Sequence, residues 1–355
     1  MIQALSTTQM SRGGQCRPSG TRRACAALML TISLAGLADA APGPGAGGVA
    51  AGNPAPAAGQ SPDADDSLIR TVPAECRKPD GSVDHEFLVA YEKKRVDALG
   101  RKLNIKFTTT ETPHFLVASG AGPAATDLLV KGCETLYANL TALFGMEKDA
   151  RLCDGKCMLF LFGQRATLER YATTIDGPSA ANVYGYFRID RYGGRLGIAK
   201  VLLVDDGQGP AKLMEHLVHE ETHALFCAYT KDVGVPRWVH EGIADYMTTV
   251  NDQNLRGPKI AKATSVARGG GSLKRVFQLQ NFADVTYDDV CVSMTVVEYL
   301  VAAGKPKFRK FVDAMKDGKS QEEALPAAYG FTMTDLEKRW RAYVVDYLPR
   351  RGKTR

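Results

Sequence analysis

Apolar positions along this chain change their period as it proceeds. "KFTTTETPHFLVASG" (106–120) is rich in β-branched and aromatic residues and closes on Ser-Gly, which predicts one or two strands. In residues 124–145, Leu128, Leu129, Cys133, Leu136, Leu140, Leu143 and Phe144 recur at helical spacing. "CMLFLFG" (157–163) is a continuous apolar run, as expected of a buried strand. A short helix over 165–174 and strands over 182–189 and 195–205 follow. Beyond Pro210 the helical period takes over. Pro suits a first helical turn, and 211–230 carries no breaker; Gly234 and Pro236 mark a turn, and 237–250 reads as the next helix. Further helices are expected over 287–303, 306–316, 320–329 and 333–347, with "RGGGSLKR" (268–275) as a flexible loop. No internal repeat is visible. The fold class expected is α+β: a sheet-and-helix lobe over 67–230, then a mainly helical lobe over 231–350.

The first 66 residues read differently. Arg12, Arg17, Arg22 and Arg23 form a positive region, "ACAALMLTISLAGL" (24–37) is an apolar run too short to span a bilayer comfortably, and Ala38-Asp39-Ala40 resembles a small-residue cleavage site. Residues 1–40 are therefore expected to be a secretory signal peptide, which places the mature chain in the periplasm or outside the cell. Residues 41–66 are rich in Pro, Gly and Ala and read as a disordered linker. No membrane-spanning segment is expected once the signal is removed.

Composition narrows the classes. With 45% hydrophobic and 24% charged residues, the chain is that of a soluble globular protein. Four arginines and one aspartate lie in residues 1–40, so the net charge of +6 becomes +3 without them. That mild charge, with no basic run interleaved with aromatics, argues against a nucleic-acid partner. Six cysteines remain after residue 40: Cys76, Cys133, Cys153, Cys157, Cys227 and Cys291. An even number in an exported chain suggests disulfides. "CDGKC" (153–157) is open to three readings: a local disulfide, two bridges to other places, or half a metal site.

The concentrated chemistry lies in "HLVHEETHALF" (216–226), which holds three of the six histidines. His219 to His223 fits His-Glu-x-x-His. Side chains four apart share a helix face, so both imidazoles can reach one tetrahedral zinc, and Glu220 sits where a carboxylate can manage a proton. Alone this pattern is weak, since a polar helix face can carry chance histidines. Three features strengthen it. The flanks Leu213, Leu217, Val218, Ala224, Leu225 and Phe226 make this a core helix, where unpaired imidazole and carboxylate are costly. "WVHEGIADY" (238–246) offers Glu241 as a third ligand on the next helix. Asp245, one turn further on, can orient a ligand histidine.

These segments resemble the gluzincin metallopeptidases, the thermolysin-like superfamily with two His and one Glu around zinc. His219, His223, Glu241 and Asp245 match that pattern, with Glu220 in the general-base position. Trp238 to Tyr246 is similar to a poorly characterised group of secreted bacterial peptidase-like domains. The resemblance implies one zinc ion per chain in a cleft between an α+β lobe, which ends in the metal helix, and a helical lobe. It implies hydrolysis of peptide bonds in peptide or protein substrates by a zinc-activated water. It further implies an edge strand that pairs with extended substrate, for which "RLGIAKVLLV" and "NVYGYF" are candidates. The oxyanion-stabilising residue such enzymes commonly use has no motif here; Tyr246, Tyr287 and Tyr299 are candidates. The competing reading is a zinc-fold module that binds peptides or cell-wall material without turnover. His216 and His240 are expected to be neighbours rather than ligands. Substrate specificity and oligomeric state have no signature in the sequence.

Overall fold

The computed structural model describes residues 64–348, apart from 148, 178, 179, 181, 182, 193–195, 231–233, 282 and 283. The expected signal peptide and nearly all of the expected linker lie outside the described residues. The linker boundary shifts slightly, because α1 (Ala64–Arg70) already begins at residue 64. Asp65 and Asp66 in its first turn pair with Arg101 and Lys102 of α2 (His85–Leu103).

A five-stranded sheet runs in the order β1-β2-β3-β5-β4. The strands are β1 (Thr108–Glu111), β2 (Phe115–Ser119), β3 (Cys157–Phe162), β4 (Gly185–Tyr192) and β5 (Leu196–Val204). β2, β3 and β5 are parallel, and both edges, β1 and β4, pair antiparallel to their neighbours. The period of two sorts side chains between two cores. Phe115, Val117, Cys157, Leu159, Leu161, Phe187, Val201 and Leu203 join the core of α3 (Pro123–Leu143) and α5 (Pro210–Thr230). Leu116, Ala118, Met158, Phe160, Phe162, Ile198 and Leu202 join that of α2 and α4 (Arg165–Tyr171). Both faces are covered, which is why β3 reads as an unbroken apolar run.

The core on the α5 face continues into the helical part of the chain. There α6 (Arg237–Asn251) and α7 (Arg256–Arg268) are followed by the short α8 (Leu273–Phe277), then α9 (Tyr287–Ala302), α10 (Lys305–Lys316), α11 (Gln321–Tyr329) and α12 (Met333–Ala342). The fold is α+β. Close approach of α6 to α9 requires Gly242, because a Cβ there would lie 2.6 Å from the Ser293 carbonyl oxygen. Among the described residues no helix is long and apolar enough to cross a membrane.

Three differences from the sequence reading have physical causes. α2 lacks a clean apolar stripe because its buried face includes Glu92 and Arg95. α7 buries Lys259, Ala263, Thr264 and Ala267, a face with no bulky apolar residue to announce it. The 268–275 segment is not all loop: Ser272 caps α8, and Leu273 is fully buried. The disulfide expectation is not met either. Among the described residues no disulfide is seen: all six cysteines are buried, and Cys153 and Cys157 share a side-chain hydrogen bond.

Behind β4, on the face away from α5, lies a buried ionic cluster. Lys200 of β5 is 1% exposed and pairs with Asp176 at 2.7 Å and Asp190 at 3.0 Å. Arg95 reaches Asp190 at 2.5 Å, and the Tyr186 hydroxyl donates to Asp176 at 2.8 Å. Tyr186 and Asp190 both belong to β4, so these bonds hold that edge strand from behind. A one-sided loss would leave a buried charge uncompensated, which is why such clusters are costly to break.

Glu92 is a different case. Fully buried, its Oε2 accepts the backbone N–H of Lys156 at 3.1 Å, while Oε1 has no hydrogen-bond partner. Burial pushes its carboxyl up to about 8, against the pull of that N–H and of Arg95. An acid raised on folding holds its proton in the folded chain after the unfolded chain has lost it. Its contribution is therefore complete below about 4.5 and declines as pH rises to about 8. Relative to Glu92→Gln, the wild type is expected to lose up to about 1.4 kcal/mol of stability per pH unit across that window. Urea unfolding of both proteins at stepped pH measures this; parallel curves would contradict it.

Candidate metal centre

α5 is a core element on nearly every side: each residue from Leu217 to Cys227 is buried. It packs between the sheet, α3 and α6, so its polar residues are buried with the apolar ones. His219 is 6% exposed, Glu220 5%, and Glu221 and His223 0%. On α6, Glu241 is 2% exposed. Groups this deep need partners.

His219, His223 and Glu241 converge. The two Nε2 atoms lie 3.2 Å apart. Glu241 brings Oε2 to 3.7 Å from His219 Nε2 and Oε1 to 3.7 Å from His223 Nε2. Tetrahedral zinc with bonds of about 2.0–2.1 Å sets its ligand atoms about 3.4 Å apart, and this spacing fits. Neither carboxylate oxygen of Glu241 has a hydrogen-bond partner. A divalent cation would satisfy all of these atoms at once, and the donor set of two imidazoles and a carboxylate suits zinc. Among the described residues this is the one group of three with metal-ligand spacing.

Neighbours fix the rings. Asp245 Oδ1 stands 3.4 Å from His219 Nδ1, and its Oδ2 accepts from Lys259 Nζ at 2.6 Å. Phe187 of β4 stacks on the His223 ring, centroids 5.2 Å apart. The His240 ring lies 6.3 Å from that of His223 and 4.9 Å from that of Phe226. Glu220 leans on β4 as well: a Cβ at Gly185 would be 3.5 Å from its Cγ and 2.8 Å from the Leu202 carbonyl oxygen. β4 is thus held by ions behind and faces the metal helix in front.

Electrostatics follow from the burial. His219 is pushed down by burial, but the Asp245 hydrogen bond and the carboxylates of Glu220, Glu241 and Asp245 outweigh it and hold the imidazolium to about 9. Burial and the His219 charge drive His223 well below its usual range. Burial lifts Glu241 to about 7, with His219 opposing. Burial also raises Glu220, again opposed by His219, and leaves its Oε2 without a partner. Without a cation the cluster must hold protons that a bound cation would displace.

Residues 206–346 match the family model of the Peptidase MA superfamily. The matched stretch contains α5, α6 and every candidate ligand, and it points to a metallopeptidase-like family. No curated protein matches the chain.

The other sequence candidates lie in separate places. Tyr287, at the start of α9, is 52% exposed, and Lys259 Nζ lies 5.9 Å from its ring centroid, so it shares Lys259 with Asp245. Tyr246 senses Glu298 and Arg256 instead, and Tyr299 packs on Tyr343 with ring centroids 5.4 Å apart. His216 stacks on Tyr184 at 5.0 Å, and the Arg165 guanidinium covers that tyrosine at 4.2 Å. Of the two candidate edge strands, "RLGIAKVLLV" is ruled out: β5 is interior, between β3 and β4, and β4 is the edge.

Lys259 and Phe187 escaped the sequence reading. Lys259 is fourteen positions from Asp245 on a different helix, a spacing that carries no local signal. Phe187 looks like any strand residue. Partners behind a metal-ligating histidine are worth about 10–100-fold in metal affinity. Asp245→Asn should therefore weaken zinc binding by about that factor, read by chelator competition. Unchanged affinity would mean that Asp245 does not hold His219.

Proposed function

We propose that the chain is a zinc-dependent metallopeptidase of the gluzincin type, exported from the cell, that hydrolyses peptide bonds. The observation that carries this reading is the convergence of His219, His223 and Glu241 on one buried point within the stretch that matches the Peptidase MA superfamily. Export rests on the amino-terminal pattern alone.

Zinc held by those three residues would supply Lewis acidity, polarising a carbonyl and making water more acidic. The rest is the work of the protein's own side chains. Glu220 is the proton carrier: burial raises its proton affinity, which suits a group that takes a proton from water and returns it to the leaving amine. Asp245, backed by Lys259, holds the His219 ring so that its Nε2 faces the site. Phe187 limits the tilt of His223. Of the three tyrosines, Tyr287 is our choice as donor to the oxyanion, since Lys259 links it to this cluster; its hydroxyl shares a hydrogen bond with Cys291, and burial raises it so that it keeps its proton. β4, as an edge strand, offers backbone groups to an extended substrate by strand addition.

The test is hydrolysis of a mixed peptide library by the zinc-loaded chain beside Glu220→Gln. The variant is expected to keep its zinc and lose about 10²–10⁴-fold in rate. Equal rates in the two proteins would remove Glu220 from its role, and a zinc-loaded wild type that cleaves nothing would contradict the peptidase reading.

A further inference from the structure

A carboxyl that takes and returns protons must keep an oxygen open to the reactants. Oε2 of Glu220 is open in this sense, since it has no hydrogen-bond partner. The carboxylate acts on both His219 and Glu241, so it lies within reach of the metal cluster. Its aim is set by packing, and that packing lies between α5 and β4.

His216, Glu220 and His223 follow at i, i+4 and i+7 on α5, which puts them on one stripe. Opposite stand Tyr184, Gly185 and Phe187. Each end of the stripe is a ring stack. Tyr184 lies on His216 with centroids 5.0 Å apart and planes 8° apart, and Phe187 lies on His223 at 5.2 Å and 26°. The lengths match, because seven helix residues rise about 10.5 Å and three strand residues about 10 Å. Between the stacks Gly185 has no side chain, and a Cβ there would stand 3.5 Å from the Cγ of Glu220. Two pairs of stiff rings thus hold helix and strand apart, and the glycine between them leaves a slot for the carboxyl.

The stack of Phe187 ends on a candidate metal ligand. The stack of Tyr184 has a clamp of its own. Arg165, the first residue of α4, sets its guanidinium 4.2 Å from the Tyr184 ring centroid. Its Nη1 donates to the Val183 carbonyl oxygen and its Nη2 to Asp206, each at 2.6 Å. The tyrosine ring is held between guanidinium and imidazole, a cation–π contact on one side and a ring stack on the other. Burial pushes His216 down to about 4, so it stacks as a neutral ring. Its Nε2 has no hydrogen-bond partner, which leaves the face of the ring to make the contact. The Tyr184 carbonyl oxygen accepts the Val204 N–H at 3.0 Å, so the ring is fixed to the sheet.

We propose that Tyr184, clamped by Arg165, is a positioning residue for Glu220: its ring on His216 is the spacer that keeps the slot at Gly185 open and the carboxyl turned toward His219 and Glu241. The role of Glu220 as proton carrier rests on the peptidase reading.

The test is a double-mutant cycle on the zinc-loaded full chain, read by calorimetry with N-acetyl-leucine hydroxamate. A hydroxamate sets two oxygens on zinc and offers a proton to a carboxylate beside it, so its affinity reports the aim of Glu220 without turnover. Tyr184→Leu should keep its zinc and bind the probe about tenfold more weakly, the worth of one charge-assisted hydrogen bond. Tyr184→Phe, which keeps the ring, should bind as the wild type does. In a Glu220→Gln chain, Tyr184→Leu should weaken binding no further. Arg165→Gln serves where the leucine variant does not fold, because the Arg165 side chain is 31% exposed. It should cause a smaller loss, again only where Glu220 is present. In peptide hydrolysis the same variants should lower kcat and leave KM unchanged. Wild-type affinity in both Tyr184→Leu and Arg165→Gln would overturn the proposal. Losses that persist in Glu220→Gln would overturn it too, since they mark a role that does not pass through Glu220. A Tyr184→Phe chain as weak as Tyr184→Leu would move the role to the hydroxyl and remove the spacer. If the cycle comes out as expected but the wild type hydrolyses no peptide, the positioning of Glu220 stands and the peptidase reading falls.

Discussion

Burial of α5 on nearly every side is the constraint on which the rest of this structure depends. A helix in that position is expected to be apolar throughout, yet His219, Glu220, Glu221 and His223 lie in its middle turns. Taking imidazole and carboxylate out of water costs several kcal/mol per group unless something compensates. For His219 the compensation is visible as Asp245 and Lys259. The two oxygens of Glu241 have no hydrogen-bond partner and the inward nitrogens of the two histidines face only each other, so a shared cation would compensate all four.

β4 couples the sheet to this helix. Its rear face is tied down by Lys200, Asp176, Asp190 and Arg95, and its front face presses Phe187 on His223 and leaves room at Gly185 for Glu220. An edge strand tied to neighbours on only one side is ordinarily loose. Here the ionic cluster replaces the missing neighbour as a source of rigidity, and the same strand keeps its outer edge for backbone pairing. α9 performs the equivalent service for α6, through the close approach at Gly242 immediately after Glu241. Both halves of the site are thus set by contacts made on the far side of the element that carries them.

How far the sequence was legible follows from the range of each signal. His219 and His223 are one turn apart on one helix, and Glu241 and Asp245 repeat that spacing on the next, so local periodicity put each pair on one face, and the resemblance to the gluzincins linked the two pairs. The two-sided burial of β3 was readable for the same reason. What depends on distant partners was not: α2 and α7 bury charged or small faces, and Lys259 meets Asp245 only through the tertiary fold. Strand order was equally hidden: β4 (GYFRIDRY) is the more charged and β5 (LGIAKVLLV) the more aliphatic, but it is the parallel pairing of β5 with β3, a tertiary contact, that makes β4 the edge. The cysteines misled for a related reason. Their even number suggested bridges, whereas all six are buried side chains, and a buried cysteine behaves as a small hydrophobe.

The central claim is that one metal ion completes the cluster of His219, His223 and Glu241. Its most direct test is the zinc content of the purified full chain by elemental analysis, beside His223→Ala and Glu241→Ala. The account predicts about one zinc per wild-type chain and its loss in both variants. A folded wild-type chain that takes up no zinc would contradict it, and so would a Glu241→Ala chain that keeps its metal.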